Sequence, residues 1–198
     1  MSETWKSAYG EKSEQERSWT QLVPSDSLGI IDSLNLPKDS AIIDVGGGAS
    51  YLVDNLVERG FSDITLLDIS PEALEESRGR NGDLLTYIAT DITAWTPTRT
   101  ITLWHDRAVF HFLTQSDQQD KYIGALAAAT HSGSYAVIAT FAPDGPEMCS
   151  GLPVHRWSSE DLAQRFESHF EFVRSERHEH TTPWGSNQPF TFVLLRRR

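Results

Sequence analysis

Three consecutive glycines behind a carboxylate mark the place where chemistry is concentrated in this chain. Ala41-Ile-Ile-Asp-Val-Gly-Gly-Gly48 has the pattern of a buried strand that runs straight into a glycine loop, with Asp44 at its exit. Gly46, Gly47 and Gly48 let the backbone turn tightly and approach a ligand closely. A second apolar run, Ile64-Thr-Leu-Leu67, ends in Asp68, twenty-two residues after Gly46. A carboxylate about 20 residues beyond such a loop can accept hydrogen bonds from both hydroxyls of a ribose. The set describes a nucleoside-containing cofactor lying across the ends of neighbouring parallel strands. It is not built for a pyrophosphate. Ala49, Ser50 and Tyr51 follow the glycines, so a bulky ring stands where a dinucleotide loop has its third glycine. There is also no Gly-Lys-Ser/Thr phosphate loop. Asp44 beside the glycines repels phosphate and suits a ligand that carries an ammonium and a sulfonium.

A second concentration is Trp104-His-Asp-Arg-Ala-Val-Phe-His-Phe-Leu113. His105, Asp106 and Arg107 come right after a buried strand, where charged groups need partners, and with His111 they are the expected catalytic residues. His105 or His111 can serve as a base, because imidazole titrates near neutral pH. Arg107 can depress the pKa of a thiol or hold a substrate carboxylate. His111 and Phe112 fit equally well as helix core and surface. The loop Pro143–Pro153, with three prolines and two glycines, suggests a pocket wall. His178 and His180 share one face of a strand but have no third ligand nearby, so no metal is expected.

These groups need a scaffold that brings strand ends together. Pro24-Ser25 opens a helix with Leu28, Ile31 and Leu34 on one face. The first strand is expected at 41–45, a crossover helix at 50–59 and a second strand near 63–68. Ser70-Pro71 then starts a helix that stops at Gly79. Strands follow at 84–88, at about 100–104 and at 135–140. A helix begins at Ser116 through a Ser116/Gln119 capping box. A helix over 159–169 leads to two strands near 170–178 and 188–196. This alternation predicts an α/β fold: a Rossmann-like, doubly wound, mostly parallel seven-stranded sheet with helices on both faces and a C-terminal antiparallel hairpin. In open sheets of this kind, ligands sit beyond the carboxyl ends of the strands. Asp44, Asp68, Asp91 and His105 all fall there. Asp68 is expected to take the ribose hydroxyls and Ile69 to pack on adenine. Asp91 and the Ile92 amide are expected to bond the edge of that ring, and the glycines to leave room for the rest of the cofactor.

The 198 residues fit one domain over 25–198, preceded by a polar segment over 1–24. Trp5, Tyr9 and Trp19 suit that segment to a lid over a pocket. Seventeen basic against 28 acidic residues give a formal charge of −11, which disfavours nucleic acid as a partner. No apolar run approaches the roughly 20 residues of a membrane span, and the first residues lack signal-peptide character. Cys149 is the sole cysteine. No internal disulfide can form, and a cytoplasmic protein, possibly monomeric, is expected.

Asp44-x-Gly46-x-Gly48 resembles motif I of the class I S-adenosylmethionine-dependent methyltransferases. Trp104-His-Asp106-Arg107-Ala108, with the later Gln119-Asp-Lys-Tyr122, resembles the Trp-Asp-Arg-Gly-Ala and Asp-Arg-x-x-Tyr segments of the thiopurine S-methyltransferase-like group. Here His105 is an insertion and Ala108 replaces the glycine. Trp5 and Trp19-Thr-Gln21 look like that group's aromatic-rich opening. The resemblance implies S-adenosylmethionine as cofactor, covered in part by Trp5 and Trp19, with Arg107 at the substrate pocket. It also implies transfer of a methyl group to a small molecule, a thiol or other soft nucleophile first. A protein lysine side chain, or a cofactor-binding module without catalysis, are the alternatives.

Overall fold

The structure, a computed structural model, describes residues 17–198. It begins with helix α1 (Ser25–Ser33), strand β1 (Ile42–Val45), helix α2 (Leu52–Glu58) and strand β2 (Ile64–Asp68). Helix α3 (Pro71–Asn81), β3 (Thr86–Ala89), β4 (Ile101–Arg107), α4 (Ser116–Ala129) and β5 (Thr130–Phe141) follow. After a short hairpin of β6 (Met148–Cys149) and β7 (Leu152–Pro153) come α5 (Ser159–Phe166), β8 (Phe170–Thr181) and β9 (Asn187–Arg197).

Among the described residues, seven strands form one sheet in the order β3-β2-β1-β4-β5-β9-β8. The pairs from β3 to β5 are parallel, and β9 and β8 are antiparallel additions. The predicted doubly wound architecture is therefore present. Strand order reverses between β1 and β4, and a cleft must open there at the carboxyl ends. One face of the sheet packs on Leu28, Ile31, Leu52 and Leu56 of α1 and α2. The other packs on Tyr122, Leu126, Leu162 and Phe166 of α4 and α5.

Several boundaries differ from the sequence expectation, each for a local reason. Helix α3 runs through Gly79, and the left-handed residue that ends it is Gly82, at φ 56°. The capping box of α4 is made by Gln115 and Gln118 rather than by Ser116 and Gln119. Gln119 instead donates to the Leu113 carbonyl at 2.8 Å and accepts from Arg165 at 2.9 Å. Strand β5 starts at Thr130, five residues early, because α4 passes into it without a loop.

The most consequential difference is in β4. His105, Asp106 and Arg107 are strand residues, not loop residues, held between β1 and β5 by pairings such as His105 with Asp44 and with Val137. Alternation then sends His105 and Arg107 to the α1 face and Asp106 to the opposite one. Asp106 is fully buried. Its Oδ1 accepts from the Val109 amide at 2.8 Å, and its Oδ2 from the Phe110 amide at 3.0 Å and the Tyr122 hydroxyl at 2.6 Å. The Trp104 indole donates to the Tyr122 oxygen at 2.8 Å. Burial pushes the Asp106 carboxyl up to about 6, against the pull of Tyr122 and the two amides. The expected catalytic role for Asp106 gives way to a positioning one: it folds the 108–112 turn that walls the cleft. Ala108 opens that turn at φ 77°, a left-handed conformation that suits glycine.

Tyr122→Phe should lower stability by about 1–3 kcal/mol, because it strips a donor from a buried carboxylate. Urea unfolding checks this through a lower midpoint at unchanged slope. Ala108→Gly should raise stability by about 1 kcal/mol through relief of the left-handed strain, less the added chain entropy. A thermal midpoint below that of the parent would contradict it.

Candidate active site

The glycine loop after β1 is fixed by close approach. The Gly46 amide donates to the Leu67 carbonyl at 2.6 Å, and Gly46 has φ 69°. A Cβ at Gly46 would lie 1.9 Å from Val109 Cγ2, and one at Gly47 would lie 2.1 Å from Asp44 Oδ2. The loop therefore leaves open a cradle that any side chain would fill.

Two cavities meet at this loop. The first is lined by Val45, Gly46, Asp68, Ile69, Asp91, Ile92 and by Ala108, Val109, Phe112 and Leu113 of the turn after β4. Asp68 accepts from the Ser70 amide at 2.8 Å through Oδ1, and Ser70 caps α3. Burial pushes the Asp68 carboxyl up to about 7; the Ser70 amide opposes this, and the nearby Asp44 adds to it. Asp91 turns one oxygen to the Thr93 amide and hydroxyl, at 2.8 and 2.7 Å. All four positions expected to hold a nucleoside line this one mostly apolar slot.

The second cavity lies on the α1 side of the loop, lined in part by Trp19, Ser27, Asp44, Gly47, Tyr51, His105, Arg107, Phe112, Cys149 and Phe190. His105 Nδ1 is 2.7 Å from Asp44 Oδ1, and its Nε2 is 2.9 Å from Ser27 Oγ. An ionised carboxylate only accepts, so Nδ1 donates and Nε2 is left to accept the serine hydroxyl. The other Asp44 oxygen, Oδ2, is buried and has no hydrogen-bond partner among the described residues. A buried acceptor left unpaired beside an open loop fits a cationic donor group on a ligand.

Residues 17–22 form a strap along this cavity, with Trp19 and Gln21 in its lining. Arg17 makes a two-pronged ion pair to Glu76 at 2.6 Å. His180 Nε2 reaches the Ser18 carbonyl at 2.5 Å. Arg107 donates to the Trp19 carbonyl at 2.7 Å and to the Gln21 side chain, and Asn55 donates to the Leu22 carbonyl at 3.0 Å. Burial lowers the Arg107 pKa, while Asp44 and Asp26 push it back up. The lid expected over 1–24 is described from Arg17 onward; Trp5 lies outside the described residues.

His111 departs from its expected role as a base. It is fully buried in the 3-10 turn Phe110–Phe112, and neither ring nitrogen has a partner among the described residues. Its ring packs against Phe112 and Phe141, and burial pushes its pKa down to about 3. It is a neutral core residue behind the wall formed by Phe112. Cys149 does reach the cavity from the Pro143–Pro153 loop, with its thiol pushed up to about 11 by burial. His178 and His180 part ways: His178 pairs with Asp26 and Glu176, and His180 holds the strap. Ser27 and Phe190 were missed from the sequence. No local signal marks Ser27, because its partner His105 is 78 residues away.

No family model and no curated protein sequence matches the chain. Solved structures do. One concerns the conversion of a disulfide bond into a thioacetal group during echinomycin biosynthesis; it is 19% identical at a TM-score of 0.77, covering 100% of this chain and 93% of that one. The 1,6-didemethyltoxoflavin N1-methyltransferase of Burkholderia thailandensis, solved with 1,6-didemethyltoxoflavin and S-adenosylhomocysteine, is 16% identical at 0.72, covering 98% and 83%. The N-methyltransferase NodS of Bradyrhizobium japonicum WM9, in complex with S-adenosylhomocysteine, is 14% identical at 0.70, covering 98% of each chain. This chain has the Rossmann-like fold of those S-adenosylmethionine-dependent methyltransferases.

Proposed function

We propose that this protein is an S-adenosylmethionine-dependent methyltransferase acting on a small molecule. The observation that carries the reading is the buried, unpartnered Oδ2 of Asp44 beside Gly46 and Gly47, one strand away from Asp68. Asp68 would hold the ribose and Ile69, Asp91 and Ile92 the adenine. Asp44 would receive the methionine ammonium. When bound, the cofactor supplies an electrophilic methyl group on a sulfonium. The residues of this chain bind and orient it, keep water out, and manage the proton of the acceptor. The strap along the second cavity favours a small acceptor over a protein side chain, and the bonded Asp44–His105–Ser27 chain beside the cavity favours an enzyme over a module without catalysis.

Membership of the thiopurine S-methyltransferase-like group is the finer reading, and a thiol or other soft nucleophile the first acceptor it suggests. Support for it is the Trp104–Ala108 segment with Tyr122, whose indole, carboxylate and phenol form one bonded chain. A cytoplasmic monomer accords with this reading. Among the described residues no helix is long and apolar enough to cross a membrane.

Asp68→Ala should weaken S-adenosylmethionine binding by about 10-fold or more, since it removes a charged acceptor of two hydroxyl donors. Calorimetry giving the parent affinity would refute the ribose assignment. Binding should also depend on pH. The diol bonds the carboxylate form, and the free site holds a proton up to about 7. Affinity should therefore be full above that pH and fall as pH drops through it, by at most about 10-fold per unit. Asp68→Asn should flatten the dependence; an unaltered slope in that variant would assign the titration to another group.

A further inference from the structure

We propose that Ser27, His105 and Asp44 form a proton relay ending at the acceptor, and that the acceptor is an aromatic ring bearing a hydroxyl group. The inference rests on the methyltransferase reading and names a different acceptor from the thiol that the finer family resemblance suggests. The three side chains are 1%, 2% and 2% exposed, yet all three line the second cavity. Their spacings, 2.9 Å and 2.7 Å, are those of a hydroxyl, a base and an orienting carboxylate in direct contact. The Ser27 hydroxyl satisfies the far nitrogen of His105 and belongs to a residue that lines the cavity, so the hydrogen-bonded chain from Asp44 ends beside the ligand space.

The lining chooses the acceptor. Trp19, Tyr51, Phe112 and Phe190 surround the relay with rings, which suits a flat aromatic partner. Arg107 leaves the same face of β4 two residues beyond His105 and lines the same space. A buried guanidinium stabilises an oxyanion as it develops and repels a protonated amine. A thiol ionises easily and gains little from a base, whereas a phenol must give up its proton to become a competent nucleophile. The O–H bond of the acceptor breaks as its proton passes to Ser27 Oγ. The serine proton passes to His105 Nε2, and the resulting imidazolium is paired with Asp44. The freed oxygen pair forms the bond to the methyl carbon, while the carbon–sulfur pair stays on sulfur. Methyl ether, thioether and one proton, released to water from His105, complete the balance. Ser27 touches the acceptor in this scheme; His105 and Asp44 are positioning residues that act through it.

The test uses 4-nitrophenol, whose phenolate is coloured and whose phenol is not, and the full chain saturated with S-adenosylhomocysteine. At a pH where the free probe is mostly phenol, binding to the parent should generate the phenolate band. Ser27→Ala and His105→Gln should reduce that conversion about 10-fold or more, and Ser27→Thr, which keeps the hydroxyl, should restore it. With S-adenosylmethionine instead, the parent should form 4-nitroanisole, and Ser27→Ala should lose about 100-fold in kcat with a smaller change in KM. Circular dichroism and homocysteine-cofactor binding report whether each variant is folded. A parent that binds the probe without the phenolate band, a parent that does not bind it, or a folded Ser27→Ala that matches the parent overturns the relay. Failure of S-adenosylhomocysteine to bind any of these proteins would instead sink the methyltransferase reading, and this inference with it.

Discussion

The carboxylate of Asp44 is the constraint around which the rest of the site is arranged. It sits at the end of β1, buried, with its two oxygens committed to different directions. One orients His105 across the β1–β4 pairing, and the other faces the glycine loop. Gly47 is glycine because a Cβ would fall 2.1 Å from that second oxygen. An unpaired acceptor in a dry site costs on the order of 1–3 kcal/mol, and the fold carries this cost where a ligand can relieve it. The glycine loop, the strand exit and the histidine are thus consequences of one group's need for partners.

Strand β4 divides its side chains between two tasks through nothing more than alternation. His105 and Arg107 face α1 and the second cavity; Asp106 faces α4 and gathers the amides of Val109 and Phe110. The 108–112 turn that results carries Val109 and Phe112 into the cleft and buries His111 behind them. A single register slip would exchange the two faces and destroy both the wall and the Asp44–His105 contact. The strained Ala108 stands at the junction, lining both cavities at φ 77°.

The strand-end residues around the glycine loop were legible in the sequence because their signals are local. Asp44, Gly46, Asp68 and Asp91 each end a short apolar run, and the order of strands and helices fixes where such ends meet. Gly46, Asp68 and Asp91 converge on the first cavity and Asp44 lines the adjoining one, an arrangement that follows from the strand order. The second cavity was legible only as a concentration of chemistry. The Trp104–Leu113 segment stood out by composition, but its assignment to a loop hid the alternation that separates His105 from Asp106. His111 looked like a base because a lone histidine gives no sign of whether its nitrogens will find water. Ser27, at the start of an ordinary amphipathic helix, carries no mark at all, since its meaning comes from a histidine 78 residues away.

The strap links the two halves. Its backbone carbonyls, at Ser18, Trp19 and Leu22, accept from His180, Arg107 and Asn55, which come from β9's partner strand β8, from β4 and from α2. Burying the guanidinium of Arg107 under this segment is unfavourable by desolvation, and the carboxylates of Asp44 and Asp26 offset it. The same cation therefore answers to the strap and to the carboxylate that orders His105. Asp44 thus serves both His105, through a hydrogen bond, and Arg107, through its charge. Because Arg107 is pinned by a carbonyl and an amide oxygen rather than by a second carboxylate, its hold on residues 19–21 is the adjustable one, whereas the Arg17–Glu76 pair beside it is a full ion pair in two-pronged geometry.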